Sequence, residues 1–227
     1  MIAAPDSGST LLAVMEGAVA IELPFLRPDG FVAEVVSRES GLVACDRYGA
    51  ESHTVQMRAL VGTRLLTLDP ARVLALLERD PQAASTVARV ACARVEEVQH
   101  RLVALNEPSA RRRLLSALLY LDRHLGTSCE LAAGRILSVR QSELAAVAAV
   151  SRQTANRELR LLQGRGLIRV ERAMVCLLDL PGIQALARGE RLPYVDDPCT
   201  ACKRLRPDLP LACGARRRRR APRAAGG

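Results

Sequence analysis

Residues 137–168 read LSVRQSELAAVAAVSRQTANRELRLLQGRGLI, and their pattern decides the fold of this chain. They spell two short helices around a tight turn, followed by a small hairpin. Ser138 suits the N-cap of a first helix reaching to about Val147, with Gln141 three residues on, as in a capping box. Ser151 suits the N-cap of a second helix, with Arg152 in its first turn. At about 100° per residue, Ala155, Leu159 and Leu162 form one apolar stripe, which Leu144, Val147 and Val150 can meet. Gln153, Asn156, Arg157 and Arg160 fall roughly 100–200° from Ala155 and so face outward. Gly164 and Gly166 stop the second helix. Residues 167–170 and 175–178 then pair as a wing around 171–174, and Pro181 opens a short closing helix to about Arg188.

The bland interpretation is an amphipathic helical hairpin with a solvated polar face. Such a face ordinarily mixes Glu and Lys in i,i+4 pairs. Here it offers Arg152, Gln153, Asn156, Arg157 and Arg160, and the one acid, Glu158, stands off it. Arginine and amide side chains are those that read base edges in a major groove and grip phosphates.

The stretch resembles the winged helix–turn–helix of the Crp/Fnr family of bacterial transcription regulators. The matching residues are Glu143-Leu144-Ala145, Ser151-Arg152-Gln153-Thr154 and Arg157, continuing through Gly166-Leu167-Ile168 and Leu177-Leu178-Asp179-Leu180. The resemblance implies that Arg152, Gln153 and Arg157 read bases and that Ser151 and Thr154 position the DNA backbone. Two positions depart from the pattern. Ala149 stands where the turn usually has Gly, and Glu158 occupies an often apolar position.

Upstream, residues 12–21 (LAVMEGAVAI) resemble the strand–turn–strand of the family's β-roll, followed by a turn at Arg27-Pro28-Asp29-Gly30. Further short strands are expected near 31–36, 41–44, 54–60 and 64–69. About ten residues precede the first of these strands, where the family has an extra strand or two. The expectation is a truncated roll, unless the true start lies upstream. Cyclic-nucleotide-binding members carry a Gly-Glu motif and a later Arg-Ser/Thr-Ala that cradle ribose and phosphate. Here Cys45-Asp46 and His53-Thr54-Val55 fall in those places. Histidine lacks the permanent, bidentate fork of arginine. The effector pocket around Asp46, His53 and Thr54 is therefore expected to be degenerate, and cyclic nucleotide is not the expected ligand.

After the roll, Asp80 and Pro81 open a long helix. Ala84, Ala88, Ala91, Val95, Val98, Leu102 and Leu105 repeat at 4-3-4-3 spacing, a heptad seam. An internal core stripe would look the same. The resemblance favours a parallel homodimer, whose two reading helices stand about 34 Å apart on a palindrome. Asn106-Glu107-Pro108-Ser109 forms a hinge, and another helix runs over 109–126. Its Arg111, Arg112 and Arg113 are expected in solvent, as are His100 and His124.

The net charge of +9 is concentrated at one end. Past residue 200 there are nine basic residues against one acid, Asp208, a balance of +8 that leaves +1 for residues 1–200. A tail with Arg216 to Arg220 in succession, among Ala, Pro and Gly, is expected to be disordered and to add sequence-blind, salt-sensitive affinity for phosphates. Cys199, Cys202 and Cys213 lie there at metal-ligand spacing. An iron–sulfur cluster, as the resemblance implies for some family members, zinc, a reversible Cys199–Cys202 disulfide, or no ligand at all remain open. Cys92, Cys129 and Cys176 read as small buried or half-buried apolar residues.

With 227 residues, no apolar run of membrane-spanning length and no secretory signal pattern, the chain reads as a cytoplasmic protein of about two domains. No catalytic constellation stands out, so an enzyme is not expected. The expected fold is α+β. It comprises a truncated β-roll (1–80), a dimerisation helix (81–107), a winged helix–turn–helix (108–190) and a Cys-containing, Arg-rich tail (191–227). The expected partners are double-stranded DNA, a second copy of the chain and, for an activator, RNA polymerase, with no membrane. A thiol or metal sensor using the C-terminal cysteines, and a sequence-blind nucleic-acid binder driven by the tail, are the competing readings.

Overall fold

The computed structural model describes residues 10–26, 30–38, 42–45, 56–60, 62–129 and 134–190. The tail with Cys199, Cys202 and Cys213, the turn residues Arg27, Pro28 and Asp29, and the effector positions Asp46, His53 and Thr54 lie outside the described residues.

Among the described residues, six short strands come first: β1 (Thr10–Glu16), β2 (Ala18–Glu22), β3 (Val32–Ser37), β4 (Leu42–Cys45), β5 (Gln56–Ala59) and β6 (Arg64–Leu68). They form two antiparallel three-stranded sheets, ordered β4-β1-β6 and β3-β2-β5. The chain passes from one sheet to the other at Gly17, whose φ is +71°. A side chain there would also meet Thr63, 2.8 Å from the position of a Cβ, so glycine is required on both counts. Thr63 in turn donates its hydroxyl to the carbonyls of Ala18 (2.7 Å) and Leu60 (2.6 Å), closing the roll at this point.

Two helices follow, α1 (Pro70–Arg79) and α2 (Pro81–Leu105). Both start with the same device. Asp69 caps α1 by accepting from the Ala71 N–H, and Asp80 caps α2 by accepting from Gln82 and Ala83, each ahead of a proline at the first helical position. The helix α1 is an addition to the expected elements. Its Asp-Pro start is legible in the sequence, but the apolar residues after it merge with those of β6.

The C-terminal half comprises α3 (Ala110–Leu125), β7 (Thr127–Ser128), β8 (Arg135–Leu137), α4 (Gln141–Val147), α5 (Arg152–Gly164), β9 (Ile168–Glu171), β10 (Met174–Leu177) and α6 (Leu180–Ala187). Its strands make one antiparallel sheet in the order β7-β8-β10-β9, so the wing hairpin is backed by a strand, β8, that the sequence pattern does not show. Ser109 caps α3 and Asp179 caps α6.

The core is not divided at the hinge. A small cluster of Leu12, Val14, Val19 and Val36 fills the roll. The larger cluster takes Ala18, Ala20, Val32, Val35 and Leu60 from the roll and joins them to Leu114, Leu115, Leu118 and Leu121 of α3 and Leu144 and Val147 of α4. Alternation along β2 explains the split: Val19 faces into the roll, while Ala18 and Ala20, small enough for close approach, face the helices. Among the described residues, no helix is long and apolar enough to cross a membrane.

Several expectations about side chains change. Arg111, Arg112 and Arg113 are not simply solvated. Arg111 Nε donates to Glu158 at 2.8 Å, Arg112 pairs with Glu107 at 3.1 Å, and Arg113 donates to the Glu107 carbonyl at 2.7 Å. His124 is enclosed, hydrogen-bonded to Glu97 (2.8 Å) and Ser37 (3.0 Å) and edge-on to Tyr120. His100 is exposed as expected, whereas Cys92 is exposed rather than half-buried.

Candidate nucleic-acid interface

The presenting helix is α5. Ser151 ends the turn in extended conformation and accepts the Thr154 N–H at 3.2 Å, while its hydroxyl donates to Thr154 Oγ1 at 2.9 Å. Both residues expected to position a DNA backbone are thus engaged in holding the helix start. Ala155, Leu159 and Leu162 are buried against Leu144, Val147 and Val150, as the apolar stripe required. That anchoring leaves Arg152, Gln153, Arg157 and Arg160 exposed. Asn156 differs from expectation: it is only partly exposed, and its Oδ1 is enclosed without a hydrogen-bond partner.

The turn between α4 and α5 carries the strain that its sequence implies. Ala149 has φ +50°, the left-handed region, and it is buried. The turn is held by Ala148 N–H to Leu144 O (2.8 Å) and Val150 N–H to Ala145 O (3.1 Å). The helix α5 runs through Gly164, and Gly166, at φ +70°, makes the reversal into the wing.

Helix α4 begins later than expected. Its N-cap is Arg140, not Ser138, and the reciprocating acid is Glu143, which accepts the Arg140 N–H at 2.7 Å. Ser138 and Gln141 therefore form no capping box. Ser138 instead follows directly on β8, two residues before the cap, because pairing with β10 holds the chain extended up to Leu137. Glu143 also accepts from the guanidinium groups of Arg140 and of Arg58 on β5, each at 2.7 Å. Burial alone would push its carboxyl upward. The hydrogen bonds from Arg140 and Arg58 outweigh that and hold it below the usual carboxylate value.

Glu158 shows why an acid is tolerated at an otherwise apolar position. It is buried, with Arg111 Nε at 2.8 Å and Arg157 Nη2 at 3.3 Å. The pairing ties α5 to α3. Arg157 itself keeps 69% of its side chain exposed. The signal in the sequence is an acid on the inward side of α5 together with the basic run that opens α3. Partners 47 residues apart cannot be matched by periodicity.

This geometry, an exposed Arg/Gln helix packed across a second helix with a β-wing behind it and a β-roll at the other end of a long helix, defines a winged helix–turn–helix protein with a cyclic-nucleotide-binding-like roll. Residues 112–186 match the Crp-like helix-turn-helix domain. The cyclic AMP receptor protein of Thermus thermophilus is 32% identical over 131 residues, which are 58% of this chain and 57% of that protein, so the match spans a little over half of the relative. Among solved structures, a CRP-family transcriptional regulator from Thermus thermophilus superposes with a TM-score of 0.61 at 23% identity, covering 82% of this chain and 91% of its own. FixK2 from Bradyrhizobium japonicum superposes with a TM-score of 0.62 at 17% identity, covering 85% and 93%. At these identities the structural likeness speaks for the fold.

Proposed function

We propose that this chain is a homodimeric, sequence-specific DNA-binding transcription regulator that reads a palindromic site through α5. The observation that carries the reading is the outward face of that helix. Arg152, Gln153, Arg157 and Arg160 are exposed together, while the apolar stripe and Glu158 are turned inward. Arginine suits guanine O6/N7 or phosphate, and glutamine suits adenine N6/N7. A helix presenting these groups at its N-terminal turns is the element that enters a major groove. A function exercised on chromosomal DNA places the protein in the cytoplasm.

Dimerisation is supported by the seam of α2. Val95, Val98 and Leu102 are 57%, 37% and 55% exposed in the single chain, an apolar row that water would otherwise cover. Facing a second copy, the row becomes the knobs of a parallel coiled coil and sets two copies of α5 on one side of the duplex.

Selection of binding sites from random duplexes with the full chain tests the reading. The expected result is an inverted repeat with half-sites about one helical turn apart. Enrichment of no motif, with binding that simply tracks salt, would instead favour the arginine tail as the whole of the affinity.

A further inference from the structure

We propose that the cleft between α2, α3 and α6 is a binding site for a small organic oxyanion, a carboxylate or phosphate carried on an apolar body. The cleft encloses about 370 Å³, within the range of small-molecule sites. Its walls carry three basic side chains, His100 and Arg101 from α2 and Arg123 from α3. Leu119 and Leu180 supply apolar surface, and Ser116 adds a hydroxyl. The site lies away from the α5 reading face.

Arg101 makes this cleft unusual. It is only 5% exposed, and among the described residues no carboxylate pairs with it. Its Nη2 donates to the carbonyls of Val32 and Val147, its guanidinium stands 5.1 Å from the Tyr120 ring centroid, and its Nε is enclosed without a partner. A buried cation that is held only by carbonyls and a ring is under-compensated. Its pKa is lowered to about 10, chiefly by burial. Arg123 is exposed, and neither it nor His100 has an acidic partner among the described residues. The lining also includes one acid, Asp122, but Arg135 Nε binds its carboxylate at 2.7 Å and removes it from competition. The cleft thus offers an excess of positive charge beside apolar surface.

The cleft also survives dimerisation. At about 100° per residue, His100 lies on the side of α2 opposite Val98 and Leu102, so a partner packed on the seam leaves it open.

Titration of the full chain by calorimetry with benzoate, phenyl phosphate and, as the uncharged control, benzyl alcohol tests the inference. The expected result is saturable binding of one or both anions at one site per chain, with no binding of the alcohol. The preferred anion tells carboxylate from phosphate. Arg123→Ala should weaken that binding about 10-fold, the cost of one charge-assisted hydrogen bond, and Ser116→Trp, which fills the cleft, should abolish it. These variants avoid Arg101, whose removal would also release Val32 and Val147. The arginine tail is common to every sample, so anion binding there is unaffected by either substitution. Binding unchanged in both variants, equal binding of the alcohol, or no saturable binding of either anion up to millimolar concentration would overturn the site.

Discussion

Gln153 is exposed in the first turn of α5, with Ser151 fixing the helix start two residues before it. Its amide can donate to and accept from adenine, whereas a carboxylate in its place can only accept, as from cytosine N4. Gln153→Glu is therefore expected to move the preferred base at one position of each half-site, with discrimination of about 1–3 kcal/mol. An unchanged preference in a binding selection would remove Gln153 from the reading face. Ala149 allows a second residue-scale expectation. Its left-handed φ costs about 1–2 kcal/mol for a residue with a Cβ, while its buried methyl contributes about 0.8 kcal/mol by burial. Ala149→Gly should raise stability by up to about 1 kcal/mol in a denaturant titration, and a clear loss would show that the methyl outweighs the strain. This residue is legible without the structure, because a turn position with an unusual occupant can be recognised from sequence alone. The partners of Glu158 and Glu143 are not, because Arg111 and Arg58 reach them from distant parts of the chain.

Among the elements, local signals translate most faithfully. The N-caps Asp80, Ser109 and Ser151, the apolar stripe of α5 and the two wing strands all lie where side-chain spacing places them. Elements lacking a period of their own do not show in the pattern. The strand β8 is three residues long and is defined by its pairing with β10, and α1 is hidden beside β6. The seam of α2 is legible as a period but not as an interface, since an internal core would show the same spacing. Leu102→Asp decides between them. Leu102 is 55% exposed and contributes little to the single chain, so the fold should persist. A buried charge at the seam should yield monomers by sedimentation and reduce operator affinity at least ~100-fold, because a monomer engages only one half-site. A dimer that survives the substitution would place the interface elsewhere.

At the scale of the whole molecule, the roll and the helix–turn–helix are joined by side chains as well as by α2. Arg58 of β5 binds Glu22 within its own sheet at 2.5 Å and Glu143 of α4 at 2.7 Å. Arg94, on α2 itself, holds Glu34 of β3 through two hydrogen bonds, of 2.5 and 2.8 Å, and so ties the long helix to the roll. Because the folded-state carboxyl of Glu143 titrates below its ordinary value of 4.5, its stabilisation is complete above that pH and is lost as pH falls through the folded-state value. Glu143→Gln should flatten this part of the acid limb of the stability curve and cost about 1–3 kcal/mol at neutral pH by leaving two guanidinium groups short of a carboxylate. An acid limb identical to that of the parent chain would contradict the assignment.

The shared core beneath these ion pairs has a thermodynamic corollary. Ala18, Ala20, Val32 and Val35 are buried by the same leucines that α3 and α4 contribute, so neither half can melt without exposing apolar surface of the other. Heating should therefore produce one calorimetric peak whose enthalpy equals its van't Hoff value, at fixed protein concentration, rather than the two steps of independently folding modules. Cleavage at the hinge should correspondingly yield fragments that remain associated under native conditions. The connection between the halves then lies in the packing, and the continuous backbone serves mainly to set their stoichiometry.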